Sequence, residues 1–100
     1  MSSRRIQFTP TARAELRRII RFSRRTWGER QADTYRSTLD EAFARIAAFP
    51  EIGTPLPEYA EDVRRLTVAQ HYVFYETLPN SVRVVRITHV RMDDPDLSLP

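Results

Sequence analysis

The sequence predicts an α+β domain of order β-α-α-β-β-β, with a helical hairpin packed on one face of a small, mainly antiparallel sheet. Three observations carry this prediction. Residues 10–48 hold two amphipathic stripes at helical spacing, broken by a single glycine. Residues 63–89 hold three runs rich in β-branched and aromatic residues with turn residues between them. Phe49-Pro50 and the Pro- and Gly-containing stretch behind it separate the two halves.

Ile6-Gln7-Phe8 alternates apolar and polar residues and reads as a short first strand. Thr9-Pro10 marks a helix start, with Thr9 as N-cap and Pro10 at the first helical position, where a missing N–H costs nothing. Ala12, Leu16, Ile19, Ile20, Ser23 and Trp27 fall on one arc of that helix. Arg13, Arg17, Arg21 and Arg24 cover the other side. Gly28 ends the helix, in the place of a left-handed cap residue.

A second helix is expected from Glu29 to Ala48, with the stripe Ala32, Tyr35, Leu39, Ala42, Phe43 and Ile46. Arg36–Asp40 and Glu41–Arg45 are spaced as surface i,i+4 pairs. The one-residue connection makes the two helices an antiparallel hairpin. Trp27, Tyr35 and Phe43 read as core between the helices and the sheet. Proline disfavours helical backbone in the residue before it, so Phe49-Pro50 is a stop, and residues 50–62 read as an irregular loop.

Val63–Val68, His71–Leu78 and Val82–His89 are the remaining strands, the last two joined by the turn Pro79-Asn80-Ser81. The last strand is apolar on both sides, with Val82 and Val84 on one face and Val85 and Ile87 on the other, which places it inside the sheet. Residues 1–92 form one domain, and residues 93–100 form an acidic flexible tail.

All 16 basic residues are arginine. Eleven lie in residues 1–49, which carry a net charge of +6 against −3 for residues 50–100. Arginine presents a planar fork suited to carboxylates and phosphates, so an acidic partner is implied. The chain has no cysteine, which excludes a disulfide, a thiolate metal site and a thiol nucleophile. No His/Asp/Glu spacing suggests a metal, the only two glycines form no phosphate loop, and no cofactor is expected. No apolar run reaches the length of a signal peptide or a membrane span. The expectation is a soluble cytoplasmic protein that contacts no membrane.

These features in this order resemble the ParE/RelE superfamily of bacterial toxins. The resemblance rests on Phe8-Thr9-Pro10 leading into Ala14-Glu15-Leu16, Trp27-Gly28, the Phe49-Pro50-Glu51-Ile52-Gly53 stop, Val63-Arg64-Arg65-Leu66, His71-Tyr72-Val73-Phe74-Tyr75, and Val85-Arg86-Ile87-Thr88-His89 with Arg91 and Asp93. It implies one of two activities. RelE-like members are ribosome-dependent mRNA interferases. ParE-like members are inhibitors of DNA gyrase, a type II topoisomerase, by protein–protein binding. Either kind is neutralised by a cognate antitoxin, ParD-like in the second case.

The residues favour the ParE-like branch. RNA cleavage needs a base, an acid and cations around the phosphate. This chain has no lysine and no aromatic residue after Tyr75 to stack on a base. The best catalytic set available is Arg65, Glu76 (or Glu58) and His89, and it is the alternative reading. The candidates for contact with target or antitoxin are Arg64, Arg65, Arg86, His89 and Arg91. Arg64 and Arg65 are adjacent on a strand, so only one faces a given partner. Arg86, among apolar neighbours, has either a structural ion pair with Glu76 or a binding role. His71 reads as structural. A net charge of +3 without interleaved exposed aromatics argues against direct sequence-specific nucleic-acid binding.

Overall fold

The Thr9 side chain fixes the first turn of the hairpin and ties it to the sheet. Its Oγ1 accepts the Ala12 N–H at 3.0 Å, the N-cap bond expected of threonine there. The same hydroxyl donates to the Val85 carbonyl at 3.0 Å, across 76 residues of chain. The structure is a computed structural model, and it describes residues 3–91. The tail 93–100 lies outside the described residues.

Five strands and two helices follow in order. They are β1 (Arg5–Phe8), α1 (Pro10–Trp27), α2 (Glu29–Ala48), β2 (Thr54–Pro55), β3 (Val63–Val68), β4 (His71–Thr77) and β5 (Ser81–His89). A 3-10 turn at Pro50–Ile52 leads into β2. The sheet order is β1-β5-β4-β3-β2. β1 runs parallel to β5, and every other pair is antiparallel. The sheet is thus mixed, and β5 lies inside it. β2 was not foreseen in the loop. It is two residues long and pairs with Arg64 and Arg65 at the sheet edge, where a proline is tolerated because its outer side needs no donor.

Gly28 alone joins the helices. Its N–H donates to the Arg24 carbonyl and its carbonyl accepts the Ala32 N–H, so one residue closes α1 and opens α2. Its φ of 92° is positive, as the sequence suggested, but its ψ of 169° keeps the backbone extended rather than left-handed helical. A side chain is disfavoured at that φ, although nothing lies within 4 Å of the place a Cβ would take. On α2, Arg36 reaches Asp40 at 3.3 Å on the exposed face.

The main core lies between the hairpin and the sheet. Ala12, Ile20, Leu39, Ala42, Phe43 and Ile46 pack on Val68, Val73, Tyr75, Val82, Val84 and Ile87. Phe8 meets the Phe43 ring edge-on, with centroids 5.0 Å apart. A second, smaller cluster of Leu56, Val63, Phe74 and Val85 fills the opposite face, with Tyr72 packed against it. The loop that carries Leu56 therefore covers part of the sheet face turned away from the hairpin.

Ile87 corrects the strict alternation read for the last strand. Tyr75 pairs with Val84 and Phe74 with Arg86, so Val85 is the extra residue of a β-bulge. The bulge resets the side-chain alternation. Val82, Val84 and Ile87 all join the helix-side core, while Val85 joins the far cluster.

The Pro50–Gly53 stop is wrapped around Tyr75. The Tyr75 hydroxyl donates to the Pro50 carbonyl at 2.6 Å and accepts the Gly53 N–H at 2.8 Å. Arg64 closes the same loop by donating to the carbonyls of Gly53 at 2.8 Å and Glu51 at 3.1 Å.

Candidate functional site

A groove of about 670 Å³ opens where the hairpin meets the end of the sheet. The C-terminal half of α1 supplies Arg18, Ile19, Phe22 and Trp27. α2 supplies Tyr35 among others. His71 begins β4, and His89 with Arg91 stands at the end of β5. The β3–β4 turn brings Gln70 to the rim, beside Ala69, whose φ of 52° marks a tight hairpin connection.

Its apolar wall corrects the sequence reading of Trp27. Trp27 is not core: it is 67% exposed, and Phe22 nearby is 58% exposed. Ala12, Ile20 and Ser23 on the same arc of α1 are buried, whereas Trp27 in the last turn is left exposed. Tyr35 is half-buried on the groove wall and Phe43 is buried, as expected.

The polar floor is a Tyr35–His71–His89 array. His71 and His89 are direct cross-strand partners with rings edge-to-face and centroids 5.4 Å apart. Tyr35 hydrogen-bonds His71 Nδ1 through its hydroxyl. Burial, and secondarily the neighbouring His89, lowers the His71 pKa from 6.5 to about 4, so at neutral pH the ring is uncharged. Burial raises the Tyr35 pKa, partly offset by a hydrogen bond involving the Gln70 backbone. The Arg91 N–H donates to His89 Nδ1 at 3.1 Å, which leaves His89 Nε2 for an incoming group. Arg18 and Arg91 add two fixed cations, and no acidic residue among the described ones lines the groove. The site suits a partner that offers carboxylates beside apolar side chains.

Of the candidate contacts Arg64, Arg65, Arg86, His89 and Arg91, only His89 and Arg91 stand here. Arg64 is committed to the Pro50–Gly53 loop. Arg65 lies on the far face with its guanidinium over the Tyr72 ring, 4.4 Å from the centroid. Arg86 does not pair with Glu76. It reaches Glu15 on α1, with donor–acceptor distances of 3.0 and 2.9 Å to Oε2. Glu76 pairs instead with Arg83, its cross-strand neighbour, at 2.8 Å.

The alternative set Arg65, Glu76 and His89 is not assembled. His89 lies opposite His71, at the other end of β4 from Glu76. Five residue steps along β4 separate the two positions by roughly 16 Å. Glu58 sits exposed in the loop before β3. Among the described residues, no group of three or more His, Cys, Asp or Glu is placed to hold a metal ion. Among the described residues, no helix is long and apolar enough to cross a membrane.

The family model for the ParE toxin of the type II toxin–antitoxin system parDE matches residues 6–94. The chain belongs to this ParE family. It is 38% identical to Toxin ParE1 of Mycobacterium tuberculosis over 94 residues, covering 93% of this chain and 95% of that one. It is 39% identical to Toxin ParE of Escherichia coli over 88 residues, covering 85% and 84% of the two chains. Two solved structures share the fold. One comes from the chromosomal ParDE system of P. aeruginosa, with a TM-score of 0.74 and 19% identity over 89% of this chain and 98% of that one. The other is from the RelBE2 toxin–antitoxin complex of M. tuberculosis, with a TM-score of 0.64 and 20% identity over 89% and 93%. The chain is thus a ParE-like toxin of a type II toxin–antitoxin system, in the superfamily that the sequence motifs indicated.

Proposed function

We propose that this ParE-like toxin inhibits DNA gyrase by protein–protein binding in the cytoplasm and is neutralised by a cognate ParD-like antitoxin. Family membership over residues 6–94 carries this reading. The site supports binding over catalysis. Its cations and exposed aromatics face a groove, whereas Arg65 and Glu76 are engaged elsewhere. Desolvated arginine and tryptophan are the residue types that dominate protein interfaces. His89 and Arg91 are the candidate contacts that remain available. Arg64 and Arg86 contribute by holding the loop and the helix in place.

Supercoiling by purified gyrase, measured with toxin alone and with toxin plus antitoxin, tests this. Inhibition or trapped DNA cleavage by the toxin, relieved by the antitoxin, is expected. Undisturbed supercoiling together with mRNA cleavage on translating ribosomes, lost in His89→Ala, would establish the interferase reading instead. An acid–base residue contributes about two to four orders of magnitude to such a rate.

A further inference from the structure

We propose that the outer face of α1 binds the phosphate backbone of duplex DNA without reading its sequence. Arg13, Arg17, Arg18, Arg21, Arg24 and Arg25 lie on this helix, and all are exposed. At 3.6 residues per turn they share an arc of about 140°. The only acid of α1, Glu15, lies off that arc and is committed to Arg86 and the Ile87 N–H. Among the described residues, no carboxylate pairs with any of these arginines. Arg13 also lies over the Phe8 ring, 5.7 Å from its centroid.

The arrangement works against the helix itself. Arg13–Arg17, Arg17–Arg21 and Arg21–Arg25 are like-charged i,i+4 pairs, which repel. Arg24 and Arg25 complement the helix dipole in the last turn, but the other four lie before it. On α2, by contrast, Arg36 is paired with Asp40 at 3.3 Å. A polyanion laid along α1 relieves the repulsion. From Arg13 to Arg25 the helix axis rises about 18 Å, which places one arginine per about 3 Å. One strand of B-DNA presents a phosphate per about 3.4 Å of its own axis. The two lines of charge match in density and oppose in sign, and arginine forks bind phosphate oxygens bidentately. Such contacts position a protein on the duplex but carry no base information. They therefore agree with the argument from net charge against sequence-specific binding.

The test uses the full chain and a fluorescently labelled, mixed-sequence duplex without gyrase, so its outcome is separate from the inhibition assay. Fluorescence anisotropy gives the binding constant across a salt series. Contact with about four phosphates makes log K fall against log salt with a slope of about −3.6. In the double variant Arg17→Gln, Arg21→Gln the slope is expected to shrink to about −1.8. Arg36→Gln, on α2, is expected to leave it unchanged. Circular dichroism verifies that each variant is folded. Absence of binding at about 50 mM salt overturns the proposal, as does an equal slope in wild type and the α1 double variant. So does displacement by polyglutamate as effective, charge for charge, as displacement by unlabelled duplex, which would assign the stripe to an acidic protein segment.

Discussion

A methyl group placed on Gly53 would lie 2.5 Å from the Tyr75 hydroxyl oxygen. Tyr75 is buried and uses that hydroxyl to hold the loop, so it has no room to withdraw. Gly53→Ala is expected to destabilise the fold by about 1–3 kcal/mol through overpacking. Tyr75→Phe removes both loop hydrogen bonds and costs about 1–3 kcal/mol. The two changes act on one contact, so the double variant loses less than the sum. Urea unfolding midpoints of the three variants measure this, and strict additivity contradicts it.

Glu15 substitutes for a missing strand. Pairing of β1 with β5 ends at Phe8–Val84. Beyond it, Glu15 Oε1 accepts the Ile87 N–H at 2.8 Å, while the same carboxylate takes Arg86. Glu15→Ala is expected to cost about 2–3 kcal/mol, because a hydrogen-bonded charge at a largely buried position is lost. Glu15→Gln keeps an acceptor for Ile87 and loses less. Thermal unfolding ranks the two, and equal midpoints for both variants and wild type are incompatible with this role.

His71 makes stability depend on pH in a definite direction. Its folded pKa, about 4, lies below the unfolded value of 6.5. Between those values the unfolded chain binds the extra proton, so stability rises with pH. The contribution is complete above about 6.5 and is lost as pH falls toward about 4. The melting temperature of the wild type should fall more steeply over this window than that of His71→Gln. His89→Ala removes the second cause of the shift, so the His71 ring should titrate at a higher pH by NMR. Parallel melting profiles for wild type and His71→Gln would disprove the assignment.

Burial separates three positions on the helices. Phe43 is 5% exposed and packs on Phe8, so Phe43→Ala should cost about 3–5 kcal/mol. Leu16 is only partly buried against the core, so Leu16→Ala costs less. Arg17→Ala, on the exposed face, changes stability by less than about 0.5 kcal/mol. Denaturation midpoints should follow that order.

The elements were legible wherever a local rule decides them. Thr9-Pro10, Gly28 and Phe49-Pro50 punctuate the chain at the helix ends, and the bounds of α1 and α2 follow from them. What stayed hidden depends on partners far away in sequence. β2 exists only because Arg64 and Arg65 lie beside it. The bulge at Val85 carries no residue signature, yet it turns Ile87 to the opposite face. Glu15 and Arg86 are 71 positions apart, so the nearer Glu76 looked the better partner. The site was half legible. His89 and Arg91 were singled out for their place near the end of the chain. Trp27 and Tyr35 fitted the core stripes, and helical spacing alone does not distinguish them from the buried members. His71 is structural through Tyr35, and it is also part of the groove floor, which its sequence context does not reveal.

The parallel pairing of β1 with β5 also bears on synthesis. Arg5–Phe8 leave the ribosome long before their strand partners Ser81–Val84 have been made. The Thr9 anchor and the Glu15 carboxylate likewise wait for Val85 and Ile87. A growing chain can form its helical hairpin early, but the groove lacks its β4 and β5 floor until residues 71–89 have been made. A chain broken off before residue 81 has neither a closed sheet nor His89 and Arg91. The groove is therefore a property of chains that include β4 and β5, and products broken off earlier carry the arginine-rich hairpin without it.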